Sequence, residues 1–160
     1  MTAVLPTSLP DLRLRELRAA DAAGYHALVQ ANARHLTRLG DYRDEVAAGV
    51  DDITAQFSAV AEVPVRFGVE LDGRLVGRVD LVPVDPPRYG LGYWLAEEVT
   101  GRGLATAAVA ALLEHAQAIG ATDVFAGVTH GNVPSEALLR RLGFTTVADF
   151  DDYSRFHRTL

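Results

Sequence analysis

The chain contains neither cysteine nor lysine among its 160 residues, so all of its basic side chains other than histidine are arginines. Without cysteine there is no disulfide framework, no thiolate nucleophile and no zinc-thiolate site. Without lysine, Schiff-base and pyridoxal chemistry are excluded, and so is a P-loop, which needs a lysine after its last glycine. The five histidines form no pair at metal-ligand spacing on one helix, so no metal is expected. No apolar run is long enough to span a bilayer. The first residues, Met-Thr-Ala-Val-Leu-Pro-Thr-Ser-Leu-Pro, lack the basic segment and apolar core of a signal peptide. A cytoplasmic location is expected. A formal charge of −6 argues against a nucleic-acid partner, which calls for a basic face, and is compatible with a cationic amine as substrate.

The length predicts a single domain over residues 1–160, long enough to bury a core. That domain is organised around the stretch from Gly92 to His115, where a strand-like apolar run enters a helix through a turn containing Gly101 and Gly103. Glycine lets the backbone there present several N–H groups to a ligand, and the following helix adds its positive dipole end. This describes an anion site suited to phosphate. Close packing of a strand on a helix produces the same glycine pair. A dinucleotide fingerprint fits poorly, because Thr106 stands where its third glycine or alanine belongs.

Alternating apolar and polar residues predict strands at 12–17, 65–71 and 74–82, the last two joined by Asp72-Gly73, a strong hairpin signal. Further strands are expected at 89–95, 122–129, 144–147 and 153–159. A helix over 20–32 is read from Asp21 as cap and from Ala23, Ala27, Leu28 and Ala31 at helical spacing, the chain then passing His35, Leu36 and Leu39 to Gly40. A second helix, 44–62, carries Val46, Val50, Ile53, Phe57 and Val60 and is ended by Pro64. The helix after the glycine turn shows one apolar stripe of Leu104, Ala105, Ala108, Val109, Leu112, Leu113 and Ala116 up to Gly120. A short helix follows at 134–142. The order is β-α-α-β-β-β-α-β-α-β-β, an α/β fold with a central mixed sheet and helices on both faces.

The segment Thr100-Gly-Arg-Gly-Leu-Ala105 resembles the acyl-CoA-binding motif of the GNAT superfamily of N-acetyltransferases, with Thr100 in place of the usual arginine or glutamine. Downstream, His130-Gly-Asn-Val-Pro-Ser-Glu-Ala-Leu-Leu-Arg-Arg-Leu-Gly-Phe144 is similar to the family's second cofactor element, an asparagine opening a helix that ends in Leu-Gly-Phe. The resemblance implies acetyl-CoA as co-substrate, a sheet whose strands splay around the pantetheine arm, and transfer to a primary amine within a ternary complex. On that resemblance the cofactor would contact Leu95, Ala96, Thr100, Gly101, Arg102, Gly103, Leu104, Ala105, Thr106 and Asn132. Asn32, His35 and Trp94 are candidate substrate contacts, and the assembly is expected to be a monomer or homodimer. A non-catalytic acyl-CoA-binding regulatory module is the alternative.

Many family members carry a tyrosine seven residues after the asparagine, where this chain has Leu139; the ribosomal-protein N-terminal acetyltransferase branch places a serine three residues after it, and Ser135 stands there. The resemblance assigns Ser135 to the thiol side, while helix chemistry alone reads Asn132 or Ser135 as a cap. That branch often has a glutamate where this chain has Gly90. Asp80 is the replacement candidate for the base: in Gly77-Arg-Val-Asp-Leu81 it shares the Arg78 face of its strand, opposite Val79 and Leu81. An Arg78–Asp80 surface pair is the competing reading. His130 has a suitable pKa class but is placed by alternation on the other side from Gly127 and Thr129. Backbone N–H groups near Leu95 and Ala96, where the strand stops pairing, are candidates to hold a carbonyl oxygen.

Overall fold

Apolar alternation on one side of most strands and apolar stripes on the helices leave two surfaces to bury, and the chain buries them on opposite faces of one sheet. The computed structural model describes residues 2–59 and 61–160. Eight strands lie in the order β1-β2-β3-β4-β5-β6-β8-β7. They are β1 (Val4–Pro6), β2 (Leu12–Glu16), β3 (Arg66–Leu71), β4 (Arg74–Asp85), β5 (Arg88–Leu95), β6 (Asp123–Thr129), β7 (Thr145–Asp149) and β8 (Tyr153–Thr159). All neighbours pair antiparallel except β5 and β6, which run parallel. The short β1, absent from the sequence reading, pairs with β2. The predicted hairpin is present, with Asp72 at φ +52° and Gly73 at φ +79°, both left-handed as a tight turn of this type requires.

The helices are α1 (Ala22–Ala31), α2 (Ala33–Thr37), α3 (Arg43–Ala47), α4 (Val50–Ser58), α5 (Leu104–Ala118) and α6 (Val133–Arg141). The expected helix 44–62 is thus two: Ala48 and Gly49 are extended, and the Gly49 N–H donates to Asp52 Oδ2, opening α4 afresh. It ends at Ser58, before Pro64, and Val60 lies outside the described residues. On α1 the buried face is Ala22, Tyr25 and Val29, while Ala23, Ala27 and Ala31 are exposed. Alanine spacing misled the reading because one methyl group gains little from burial, and the phenol ring of Tyr25 decides the orientation.

The larger core joins α5 and α6 to one sheet face through Val79, Leu81, Leu91, Leu95, Leu112 and Leu139, among others. The smaller one packs α1, α2 and α4 on the opposite face around Tyr25, Val29, Ile53, Phe57 and Trp94. Residues 91, 93 and 95 of β5 therefore face α5 and α6, and Trp94 faces α1. No described helix is long and apolar enough to cross a membrane.

Candidate active site

The parallel pairing of β5 with β6 lasts only from Arg88↔Asp123 to Gly90↔Phe125. Beyond it residues 91–95 and 126–129 diverge and open a cleft of about 660 Å³, within the range of small-molecule and cofactor sites. Its walls are these two strands, the turn before α5, the start of α6 and residues 35–42. This is the splay that the family resemblance implies, at the carboxyl ends of adjacent strands.

At one end, Gly101 (φ +74°) and Gly103 (φ +77°) hold left-handed conformations. A Cβ placed on either would meet no heavy atom within 4 Å, so the space before the turn is free for a ligand. Gly103 opens α5; Ala107 N–H is bonded back to Gly103 O, and the amides of Leu104, Ala105 and Thr106 precede the first closed turn. The turn and these first helical residues line the cleft, except Arg102, which does not. Thr100 bonds Glu97 O through its hydroxyl and closes the short 3-10 turn Glu97–Val99. Open backbone donors at a helix start fit a pyrophosphate.

Ser135, Asn132 and Tyr93 meet on the α6 side. Asn132 caps α6 by accepting the Ser135 N–H at 3.3 Å, so the cap is Asn132 and the Ser135 hydroxyl is left for other work. That hydroxyl accepts a 2.8 Å hydrogen bond from the Tyr93 phenol of β5. Burial raises the Tyr93 pKa, with the Ser135 hydrogen bond opposing it. Leu139, one turn on, is fully buried in the core.

The other face of β4 and β5 carries charge. Arg78 and Asp80 share it, as alternation predicted, but Asp80 is buried and Arg78 largely so, rather than forming a surface pair, with Nε and Oδ1 3.8 Å apart. Neither of those two atoms has a hydrogen-bond partner among the described residues. Arg78 Nη1 donates instead to Glu45 at 2.7 Å and to the Tyr25 hydroxyl at 2.9 Å, and Tyr25 donates to Glu45 and accepts from Trp94 Nε1. Burial pushes the Asp80 pKa up, only partly offset by the Arg78 and Arg66 charges. A Cβ on Gly92, which lines the cleft, would come within 2.8 Å of Asp80 Oδ1. The carboxylate thus occupies the space that Gly92 leaves open on the α1 face, and Asp80 itself is buried and does not line the cleft.

The remaining candidates are placed as follows. Ala96 N–H donates to Val76 O at 2.7 Å and is committed to the sheet, a correction to its reading as a carbonyl holder. Alternation turns the Leu95 N–H the opposite way, to the side β6 has left. His35 Nε2 donates to Leu95 O at 3.2 Å and His35 lines the cleft. Asn32 accepts the Glu97 N–H and donates to Leu28 O, tying α1 to the turn after β5. Trp94 is 4% exposed and packs in the α1-side core.

Sequence reasoning missed Tyr93, Glu45 and the segment 39–42. Tyr42, at φ +59°, donates from its hydroxyl to Tyr93 O at 2.6 Å, Asp41 accepts from Thr129 of β6, and Leu39 reaches Gly131. The segment bridges the two diverging strands. Tyr93 had a readable signal, since Gly92-Tyr-Trp on a strand puts the phenol and the indole on opposite faces.

A cleft between splayed parallel strands, closed at one end by a glycine turn that opens a helix, defines the coenzyme A-binding class of acyltransferase folds. Residues 11–145 match the family model for an acetyltransferase (GNAT) domain, and the chain belongs to that family and is an N-acetyltransferase. Among solved structures, Mycobacterium smegmatis RimJ in complex with CoA-disulfide is 28% identical, with 99% of this chain and 86% of that one covered at a TM-score of 0.79. RimL, a ribosomal L7/L12 alpha-N-protein acetyltransferase in complex with coenzyme A, is 18% identical over 99% and 98% of the two chains at a TM-score of 0.86. The Salmonella typhimurium acetyltransferase that modifies the N-terminal serine of L7/L12 is 19% identical over 99% of both chains, at 0.78. No curated protein sequence matches. Acetyl-CoA is the co-substrate, consistent with neighbours that hold CoA or acetyl-CoA.

Proposed function

We propose that the protein transfers an acetyl group from acetyl-CoA to the α-amine of a peptide or to a small primary amine, directly within a ternary complex. The observation that carries this reading is the division of polar groups across the splay: Asp80 on the α1 face and the Tyr93–Ser135 pair on the α6 face. The glycine turn, the first amides of α5 and Asn132 hold the coenzyme, whose thioester supplies an activated acetyl group. The Leu95 N–H faces the opening and donates to the acetyl carbonyl oxygen as negative charge develops there. The amine enters neutral, its ammonium proton having passed to solvent, and Asp80, behind Gly92, accepts the N–H proton lost as the amide forms. The C–N bond forms, the C–S bond breaks, and sulfur leaves with the electron pair toward Ser135.

A peptide α-amine has a pKa near 8, against about 10 for an alkylamine, so at pH 7 roughly one molecule in ten is already neutral. A carboxylate raised by burial suffices for such a proton. The likeness to RimJ and RimL supports the same substrate class. Thiol release from acetyl-CoA, measured against peptides, aminoglycosides, polyamines and amino acids, should be fastest with a peptide. Tight CoA binding with no thiol release from any amine would replace this reading with a non-catalytic acyl-CoA-binding module.

A further inference from the structure

We infer that Tyr93 is a positioning residue for the leaving thiolate: its phenol donates permanently to Ser135 Oγ, and so turns the serine proton out into the cleft. The inference rests on the acetyl-transfer reading for its consequence in turnover, but its physical basis is local. Ser135 sits at the third position of α6, where its backbone N–H is held by Asn132 and its hydroxyl accepts from Tyr93 at 2.8 Å. A hydroxyl has one proton to give. With the phenol occupying an acceptor site on Oγ, that proton must point elsewhere, and among the described residues no acceptor takes it. The group left for it is one inside the cleft, whose wall both residues form.

The direction of the Tyr93–Ser135 bond follows from acidity, because a phenol near pKa 10 is a far stronger donor than an aliphatic hydroxyl. The same comparison limits what the pair does. A thiol has a pKa of about 8.5, and burial moves the Tyr93 phenol above its ordinary value. A departing thiolate is therefore too weak a base to take the Tyr93 proton, and weaker still against serine. Neither residue gives its proton away. Ser135 shares its proton with sulfur as the C–S bond breaks, and Tyr93 strengthens that donor by polarising it. The electron pair stays on sulfur, and the substrate's proton leaves on the opposite face.

Tyr42 holds the backbone from which this phenol projects, by donating to Tyr93 O at 2.6 Å. The hydroxyl pair is thereby fixed at both ends, one on the α6 cap and one on β5. A donor held in this way needs no reorganisation when negative charge arrives at sulfur.

Tyr93→Phe removes the donor and keeps the ring. Turnover is expected to fall about 3- to 10-fold, the worth of one neutral hydrogen bond, with the loss growing as the leaving thiol is made more basic. In a Ser135→Ala background the same change should cost nothing further, because the two act as one unit. Losses that multiply independently in the double variant would overturn the inference. An equilibrium measurement is free of turnover: the bound coenzyme's thiol, followed by thiolate absorbance, should ionise at higher pH in Tyr93→Phe and in Ser135→Ala than in the unaltered protein. Equal ionisation in all three would also overturn it. Site-specific fluorotyrosine at 93, a stronger donor of nearly the same shape, should shift thiol ionisation the other way, which a purely structural phenol would not do. If the unaltered protein releases no thiol with any amine, the transfer reading fails, and the ionisation series still decides the role of Tyr93.

Discussion

The two faces of the sheet at the splay are built from opposite materials. On the α1 side, Arg78, Asp80, Glu45 and Tyr25 pack a buried charge cluster in which Arg78 Nε and Asp80 Oδ1 remain without hydrogen bonds. On the α6 side, Tyr93, Ser135 and Asn132 are neutral, and two hydrogen bonds join them in a row. An ionised group in low dielectric is costly unless paired, and the Asp80 oxygen, with Arg78 Nε at 3.8 Å but no hydrogen bond, is the group that the proposed mechanism uses as proton acceptor. A neutral donor pair suits the face where a thiolate, already a good leaving group, needs only a modest partner. The charged face carries latent reactivity and the neutral face carries geometry.

Asp80→Asn strikes the charged face and should show the largest effect, a fall in turnover of about 10²- to 10⁴-fold with CoA affinity unchanged; steady-state kinetics and calorimetry on one preparation check it. The same residue sets the pH dependence. A base works ionised, so turnover should fall as pH drops through the Asp80 pKa, and because burial raises that pKa the fall begins at higher pH than for an ordinary carboxylate. For stability the sign reverses. A raised folded-state pKa adds stability that is present below the unfolded value and lost as pH rises through the folded one. Burying Asp80 is thus a cost at pH 7, and Asp80→Asn should melt at an equal or higher temperature there. A clear drop in melting temperature would mean that Asp80 is a structural partner of Arg78, and the contrast between the faces would collapse.

Gly103→Val acts on the turn that serves both faces. A branched residue at φ +77° is strained and fills the open cradle, which should weaken CoA binding about 10- to 100-fold in a titration. Arg102→Ala should change it less, since Arg102 does not line the cleft. Ser135→Ala, on the neutral face, should lower turnover about 10-fold and leave the melting temperature almost unchanged, because Asn132 provides the cap and Ser135 contributes only its backbone N–H to it. A loss of about 1 kcal/mol in stability with full turnover would return Ser135 to a capping role.

Local chemistry was legible in the sequence and distant pairing was not. The Asp72-Gly73 hairpin, the glycine turn, the stripe of α5 and the Asn132 cap each depend on residues a few positions apart, and all are present. The face of Asp80 was also readable, because strand alternation is a local rule. Its burial was not, since that depends on α1 and α3 arriving from another part of the chain. Tyr93 and Ser135 are 42 residues apart in sequence, and only the packing of α6 on β5 brings them together. The break at Ala48 and Gly49 escaped because Val46, Val50, Ile53 and Phe57 keep helical spacing across it. Three-residue β1 carries too little alternation to stand out, and it forms because β2 offers an edge to pair with.

That edge is not the only one. A sheet of eight strands ordinarily has two, here β1 and β7, yet the divergence after Gly90 creates two more inside the sheet, along residues 91–95 and 126–129. Unpaired strand edges invite another chain to add itself. Residues 35–42 answer this hazard: Tyr42 occupies the Tyr93 carbonyl, His35 takes the Leu95 carbonyl, and Asp41 holds the Thr129 hydroxyl beside the other edge. What remains open between these guards is the stretch of strand edge at the Leu95 N–H, where the thioester arm of the proposed co-substrate would lie as a guest strand.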